Sequence, residues 1–181
     1  MNNPRVRAVL LFLLVLAFGV LIFGGYLIKK EKPPIPVIVK SESGAVVFSG
    51  PEVIDGQNYY FSRGGQHIGT IWGHGSYLAP DWSADYLHRL GLYAAARYHG
   101  LDEAAAGRFT QKEFDALDGV EKAKLRAMVI RELKPNRYVQ ETGELVYTAL
   151  QAEGYAHLVR YYTGLFRDGN ESMGLDRKSV V

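Results

Sequence analysis

The chain has 181 residues, 48% of them hydrophobic and 12% aromatic, which is enough for one compact domain with an appendage. Its net charge of +2 is small and it shows no basic stripe, so nucleic acid is not an expected partner. The sequence contains no cysteine. This excludes disulfides, thiolate metal sites, cysteine-ligated iron–sulfur clusters and covalent c-type haem, which needs C-x-x-C-H.

Residues 1–30 are predicted to form a transmembrane anchor with a short N-terminal tail. No charged side chain occurs between Arg7 and Lys29, and the apolar run covers residues 8–28. As a helix this run spans roughly 31 Å, which matches a bilayer core of about 30 Å. The alternative is a cleaved signal peptide, but its apolar stretch has only about 7–15 residues.

The charges that flank this anchor do not by themselves decide its orientation in the membrane. Two arginines precede the helix and three lysines follow it, so the positive-inside count is nearly balanced. A very short tail before a long domain usually stays inside. We therefore expect a single-pass protein of the inner, cytoplasmic membrane with its soluble domain on the periplasmic side.

Residues 31–36 form a proline-rich linker, and residues 37–167 form the extracytoplasmic domain. Residues 37–40 and 45–48 flank a turn and predict a short hairpin. Residues 52–60 predict a short helix. The glycine-rich residues 63–76 predict an irregular loop.

The next predicted helix starts at a cap, Asp81 or Ser83, and continues to about His99. Its expected inner face consists of Trp82, Leu87, Leu90 and Tyr93 or Ala94.

Three further elements are predicted from capping and turn signals. Thr110 and Glu113 match a capping box, and the helix they open is expected to break at residues 118–119. Residues 120–134 continue as a helix until Pro135. Residues 138–139 and 145–147 predict a second hairpin, and residues 148–166 a last helix.

After residue 167 the periodicity is lost, and the ending DRKSVV resembles a translated sequencing adapter. We therefore expect residues 168–181 to be a truncated or non-native tail.

Two groups of polar side chains are candidates for chemistry. His74, Asp81 and His88 are suitable metal ligands, but no H-x-x-x-H spacing supports ligation, and a loop residue, a helix cap and a helix-surface residue explain them as well. Asp85 and Arg89 lie four residues apart on the predicted helix. Their simplest interpretation is an exposed ion pair.

The remaining candidates are weaker. The glycine-rich loop matches neither G-x-G-x-x-G nor a terminal Gly-Lys-Ser/Thr, and no G-x-S-x-G occurs. The tyrosines Tyr155, Tyr161 and Tyr162 are interpreted as packing residues rather than as a cofactor site. We therefore predict no catalytic, cofactor-binding or metal-binding residue in this chain.

One segment indicates a protein family far more specifically than the composition does. Residues 65–89 read GQHIGTIWGHGSYLAPDWSADYLHR. This segment resembles the signature of the quinol-dependent nitric oxide reductases, large single-chain members of the haem–copper oxidase superfamily. The resemblance covers residues 5–167 and includes the anchor, the proline spacer and residues 161–166.

In that family, the N-terminal region is similar to the cytochrome c subunit of the two-subunit enzymes but lacks haem. The cytochrome subunit carries C-x-x-C-H shortly before a G-x-G-x-Y-x-A-P segment, which here is GHGSYLAP at residues 73–80. The attachment positions correspond to residues 65–69, where both cysteines and the axial histidine are missing; His67 is displaced by two positions. We expect Trp72, Trp82 and nearby tyrosines to fill the volume of the haem.

The resemblance implies a mainly α fold: one N-terminal transmembrane helix, then a cytochrome-c-like helical domain lacking haem, with one or two short β-hairpins. It also implies a denitrification enzyme that reduces two NO to N2O with quinol electrons. Haem b and non-haem iron are expected in a catalytic region after residue 181, and no cofactor in this fragment. The expected partners are the membrane, the catalytic transmembrane bundle of the same parent chain, and quinol through the parent.

Within this interpretation, the fragment acts as a membrane anchor and a non-catalytic cap. The alternative is a stand-alone single-pass membrane protein with an extracytoplasmic binding domain. A third interpretation is a structural cap with no ligand of its own.

Overall fold

The computed structural model describes residues 4–73 and 80–169. Backbone contacts divide the chain into two units, Met1–Ile35 and Pro36–Val181, and each is described by itself. His74 and most of the expected tail lie outside the described residues.

The described part of the first unit contains one long helix, α1, at Pro4–Glu31. Its side chains are apolar from residue 8 to residue 28 and none is buried, and the helix is long and apolar enough to cross a membrane. Lys29 and Lys30 lie in its last turn, where positive charge interacts favourably with the helix dipole. The predicted apolar N-terminal helix is therefore confirmed.

The second unit contains a four-stranded sheet made of two hairpins. Strands β1 (Ile38–Ser41) and β2 (Val46–Ser49) pair antiparallel, as do β3 (Tyr138–Val139) and β4 (Glu144–Tyr147). Both predicted hairpins are confirmed. The sequence did not predict that β1 and β4 pair in parallel, which gives the strand order β2-β1-β4-β3 and brings together segments about 100 residues apart.

Six helices complete the described part of the second unit. They are α2 (Gly50–Ser62), α3 (Trp82–Tyr98), α4 (Glu103–Ala106), α5 (Gln111–Ala116), α6 (Gly119–Leu133) and α7 (Ala149–Asp168).

Side-chain caps explain where most of these helices start. Asp81 accepts hydrogen bonds from the N–H groups of residues 83 and 84, and Thr110 forms the predicted capping box with Glu113. The predicted break before α6 is also confirmed, because Asp118 caps a new helix there. The one-turn helix α4 was not predicted from the sequence.

Helix α3 is the centre of the domain, since it packs against α4, α6 and α7. Its small residues Ala94, Ala95 and Ala96 are all buried, and they allow neighbouring helices to approach from several sides. The inner face was predicted correctly for Trp82, Leu90 and the Tyr93–Ala94 pair. The prediction was wrong for Leu87, whose side chain is 55% exposed.

The crossing of α3 and α7 depends on a glycine. A Cβ at Gly154 would lie 2.6 Å from Leu90 Cδ1 and 3.3 Å from Tyr93 Cδ1. Those two side chains of α3 therefore pack directly on the backbone of α7. Because Leu90 and Tyr93 are buried, they have little freedom to move away from a larger residue.

Replacing Gly154 by alanine should separate α3 from α7. We expect Gly154→Ala to lower the free energy of unfolding by about 1–3 kcal/mol, as overpacking does in other cores. Gly164→Ala is the matched control on the same helix, because a Cβ there meets nothing within 4 Å. This control should stabilise α7 by roughly 0.5–1 kcal/mol through helix propensity. Urea unfolding followed by circular dichroism measures both, and equal stabilities of the two variants would contradict the close crossing.

Candidate functional site

Backbone hydrogen bonds join the glycine-rich segment to the residues at the start of α3. A 3-10 turn, Gly65–His67, follows Gly64, which has a φ of +68°. Thr70 N–H donates to Pro80 C=O at 2.8 Å, and Trp82 N–H donates to Thr70 C=O at 2.8 Å. The start of α3 is therefore fixed against this segment.

Two aromatic rings lie directly on glycines of the segment. A Cβ at Gly65 would lie 2.2 Å from Tyr60 Cδ2, and a Cβ at Gly69 would lie 1.9 Å from Trp82 Nε1. The Tyr60 hydroxyl also donates to Gly69 C=O at 2.6 Å. Any side chain at position 65 or 69 would displace a ring, so these two glycines are required by packing.

The indole of Trp82 is the centre of an aromatic cluster between α2, α3 and α7. Trp82 and Leu165 are buried, and Tyr60, Ile68, Tyr161, Tyr162 and Phe166 pack around them. The ring centroids of Trp82 and Phe166 are 5.2 Å apart at 73°, an edge-to-face arrangement. The indole N–H has no acceptor among the described residues.

Trp72 does not belong to this cluster. Its side chain is 77% exposed and its φ is +61°, which is uncommon for a residue other than glycine. With Ile71, Leu87 and Phe166 it borders an open apolar groove of about 500 Å³ beside Trp82. The prediction that Trp72 fills the interior is therefore wrong, whereas Trp82 and Tyr60 do pack there.

The pair Asp85 and Arg89 forms a network with α7. Arg89 Nε donates to Asp85 Oδ2 at 2.8 Å, and the Tyr162 hydroxyl donates to the same oxygen at 2.7 Å. The Arg89 guanidinium lies 4.0 Å above the Tyr161 ring. The predicted ion pair between positions four apart is therefore confirmed, but it is not exposed as predicted, because the Asp85 side chain is only 18% exposed.

The same network explains the protonation of Tyr162. Burial raises its pKa, and the hydrogen bond to the Asp85 carboxylate raises the pKa further. The phenol therefore remains a donor at neutral pH and cross-links α7 to α3. Tyr155, the third of these tyrosines, lies against Phe48 with ring centroids 5.0 Å apart at a tilt of 34°, which supports its interpretation as a packing residue.

The candidate metal ligands are not brought together among the described residues. Asp81 is the cap of α3, and His88 is exposed and forms no hydrogen bond with the described residues. His67 is also exposed. No group of three or more His, Asp or Glu in residues 4–73 and 80–169 could hold a metal ion, and His74 lies outside these ranges.

The family model for the cytochrome c-like domain of the nitric oxide reductase NorB matches residues 36–181. The chain belongs to this family. A comparison with curated proteins gave no match. The predicted fold class is thus confirmed: a mainly helical, cytochrome c-like domain follows one apolar helix that could span a membrane.

Membership of this cytochrome c-like family raises the question of a covalent haem. Such a haem needs two cysteines and an axial histidine, and the sequence has no cysteine. At the positions predicted to correspond to its attachment, Gly65 and Gly69 have no space for a Cβ. The residues present do not fit a c-type haem, because rings of Tyr60 and Trp82 lie where the side chains would start.

Replacing Gly69 by alanine tests the fit of the Trp82 indole. We expect Gly69→Ala to lower the free energy of unfolding by about 2–3 kcal/mol, since the indole must shift within a packed cluster. Gly56→Ala in α2 is the control, because a Cβ there meets nothing within 4 Å. Chemical unfolding followed by tryptophan fluorescence provides the measurement. A Gly69→Ala protein as stable as the control would show that the ring does not lie against Gly69.

Proposed function

We propose that this chain is the N-terminal region of a quinol-dependent nitric oxide reductase, in which it is a membrane anchor and a non-catalytic cap. The parent enzyme reduces two NO to N2O with two electrons from a quinol and two protons, releasing water. The cap itself carries no haem and takes no electrons. The catalytic haem b and non-haem iron belong to a transmembrane bundle later in the same parent chain.

The observation that carries this proposal is the packing of Tyr60 on Gly65 and of Trp82 on Gly69. A cytochrome c carries electrons through its haem. Here the space where attachment residues would project is filled by side chains of the domain. A structural role is what remains for such a fold.

The anchor part of the proposal is supported by α1. Its apolar length suits one crossing of a bilayer, and it contains no histidine that could bind haem or iron. The proposal places the segment before α1 in the cytoplasm and the domain on the periplasmic side of the inner membrane. The partners in this arrangement are the membrane, the catalytic bundle and, through the parent, quinol.

The full product of the gene, purified from membranes, tests this proposal. We expect it to reduce NO with a quinol as electron donor, and its pyridine haemochrome spectrum to show b-type haem only. A known c-type cytochrome, expressed in the same cells, verifies that covalent haem attachment operates there.

Two outcomes would contradict the proposal. A c-type band in the purified protein would show that the domain carries electrons. A gene product that has no catalytic spans and no reductase activity would favour the stand-alone membrane protein with a binding domain.

A further inference from the structure

A second cavity, of about 260 Å³, lies between α3, α7 and the segment that joins α4 to α5. It lies beside the aromatic cluster around Trp82, and Tyr161 belongs to both. Four of its lining residues are basic: His88 and Arg89 from α3, Arg108 from the joining segment and His157 from α7. None of the described residues that line it is an aspartate or a glutamate.

The imidazole of His157 is fixed in this cavity. Its ring stacks on Tyr93 with centroids 5.3 Å apart at 18°. On the segment before α5, a Cβ at Gly107 would lie 2.5 Å from His157 Cε1, so the imidazole lies close to the backbone there. His157 is half-buried and its nitrogens form no hydrogen bond with the described residues. The nitrogens of His157 are not buried without a partner, so water or a ligand can reach them from the cavity.

The two arginines also have N–H donors that form no hydrogen bond with the described residues. Arg89 uses its Nε for Asp85, and its terminal Nη groups bond to none of the described residues. Arg108 is exposed and forms no ion pair or hydrogen bond with the described part of the chain. A guanidinium carries five N–H donors and no acceptor, so both can bind an additional acceptor.

The carboxylates of Asp85 on α3 and Glu103 on α4 are already engaged. Asp85 accepts from Arg89 and Tyr162, and Glu103 forms an ion pair with Arg160 at 3.1 Å. The charge of Arg108 is therefore not balanced by a bonded carboxylate of the described residues.

We propose that this cavity binds a small oxyanion of the phosphate or carboxylate class. Guanidinium groups bind both through paired, charge-assisted hydrogen bonds. The volume of about 260 Å³ is large enough for a small free anion. His88 and His157 supply further N–H donors at the same opening.

Isothermal titration of the 181-residue chain in detergent tests this inference. Inorganic phosphate and succinate are separate probes, at an ionic strength held constant with sodium chloride. The test variant is Arg108→Gln, because Arg108 is exposed and has no bond in the described structure that folding would require. Arg131→Gln is the matched control: it removes the same charge from an exposed site on α6 that does not line the cavity.

We expect saturable binding of at least one probe, weakened roughly tenfold by Arg108→Gln and unchanged by Arg131→Gln, since one charge-assisted contact is lost. The probe that binds assigns the class, phosphate or carboxylate. Circular dichroism verifies that both variants are folded. Absence of saturable binding for both probes, or equal affinities of the two variants, would overturn the proposal.

Discussion

The contact between the Trp82 indole and Gly69 is the constraint on which the rest of the domain depends. A ring flush with a glycine backbone leaves no volume for a side chain, and the Tyr60 ring imposes the same condition at Gly65. Backbone hydrogen bonds between Thr70, Pro80 and Trp82 hold the two partners together. Interiors are packed to the density of organic crystals, so the side chains that would attach a c-type haem cannot share this volume with the two rings. Aromatic side chains thereby pack this part of a domain that belongs to a cytochrome c-like family.

The same cluster is continued by polar contacts from α3 to α7. The Asp85 carboxylate accepts from both Arg89 and Tyr162, and its low exposure strengthens these charge-assisted bonds. Further along α3, Gly154 of α7 allows Leu90 and Tyr93 to lie against the backbone. Helix α3 is thus fixed along its length, and the basic cavity beside His157 is formed where α3 and α7 meet the segment before α5.

Local signals in the sequence predicted the helix caps, both hairpins and the apolar N-terminal helix, because each depends on residues a few positions apart. The parallel pairing of β1 with β4 could not be predicted, since no local pattern links strands about 100 residues apart. Periodicity placed Leu87 on the inner face, but the groove beside α3 leaves it exposed. Trp72 was predicted to lie in the interior but is exposed. Its positive φ, which is uncommon for a residue other than glycine, has no signal in the sequence. The Tyr162–Asp85 bond joins residues 77 apart and was missed for the same reason as the strand pairing.

The most direct test of this account is to build a haem attachment motif at the glycine positions. The variant Gly65→Cys, Ile68→Cys, Gly69→His places C-x-x-C-H at residues 65–69, and it can be expressed in cells that attach c-type haem. Ile68→Cys alone is the control, because it leaves both glycines intact. We expect the triple variant to lose near-ultraviolet circular dichroism and cooperative unfolding, while the control keeps both. A folded triple variant with covalently bound haem would contradict it.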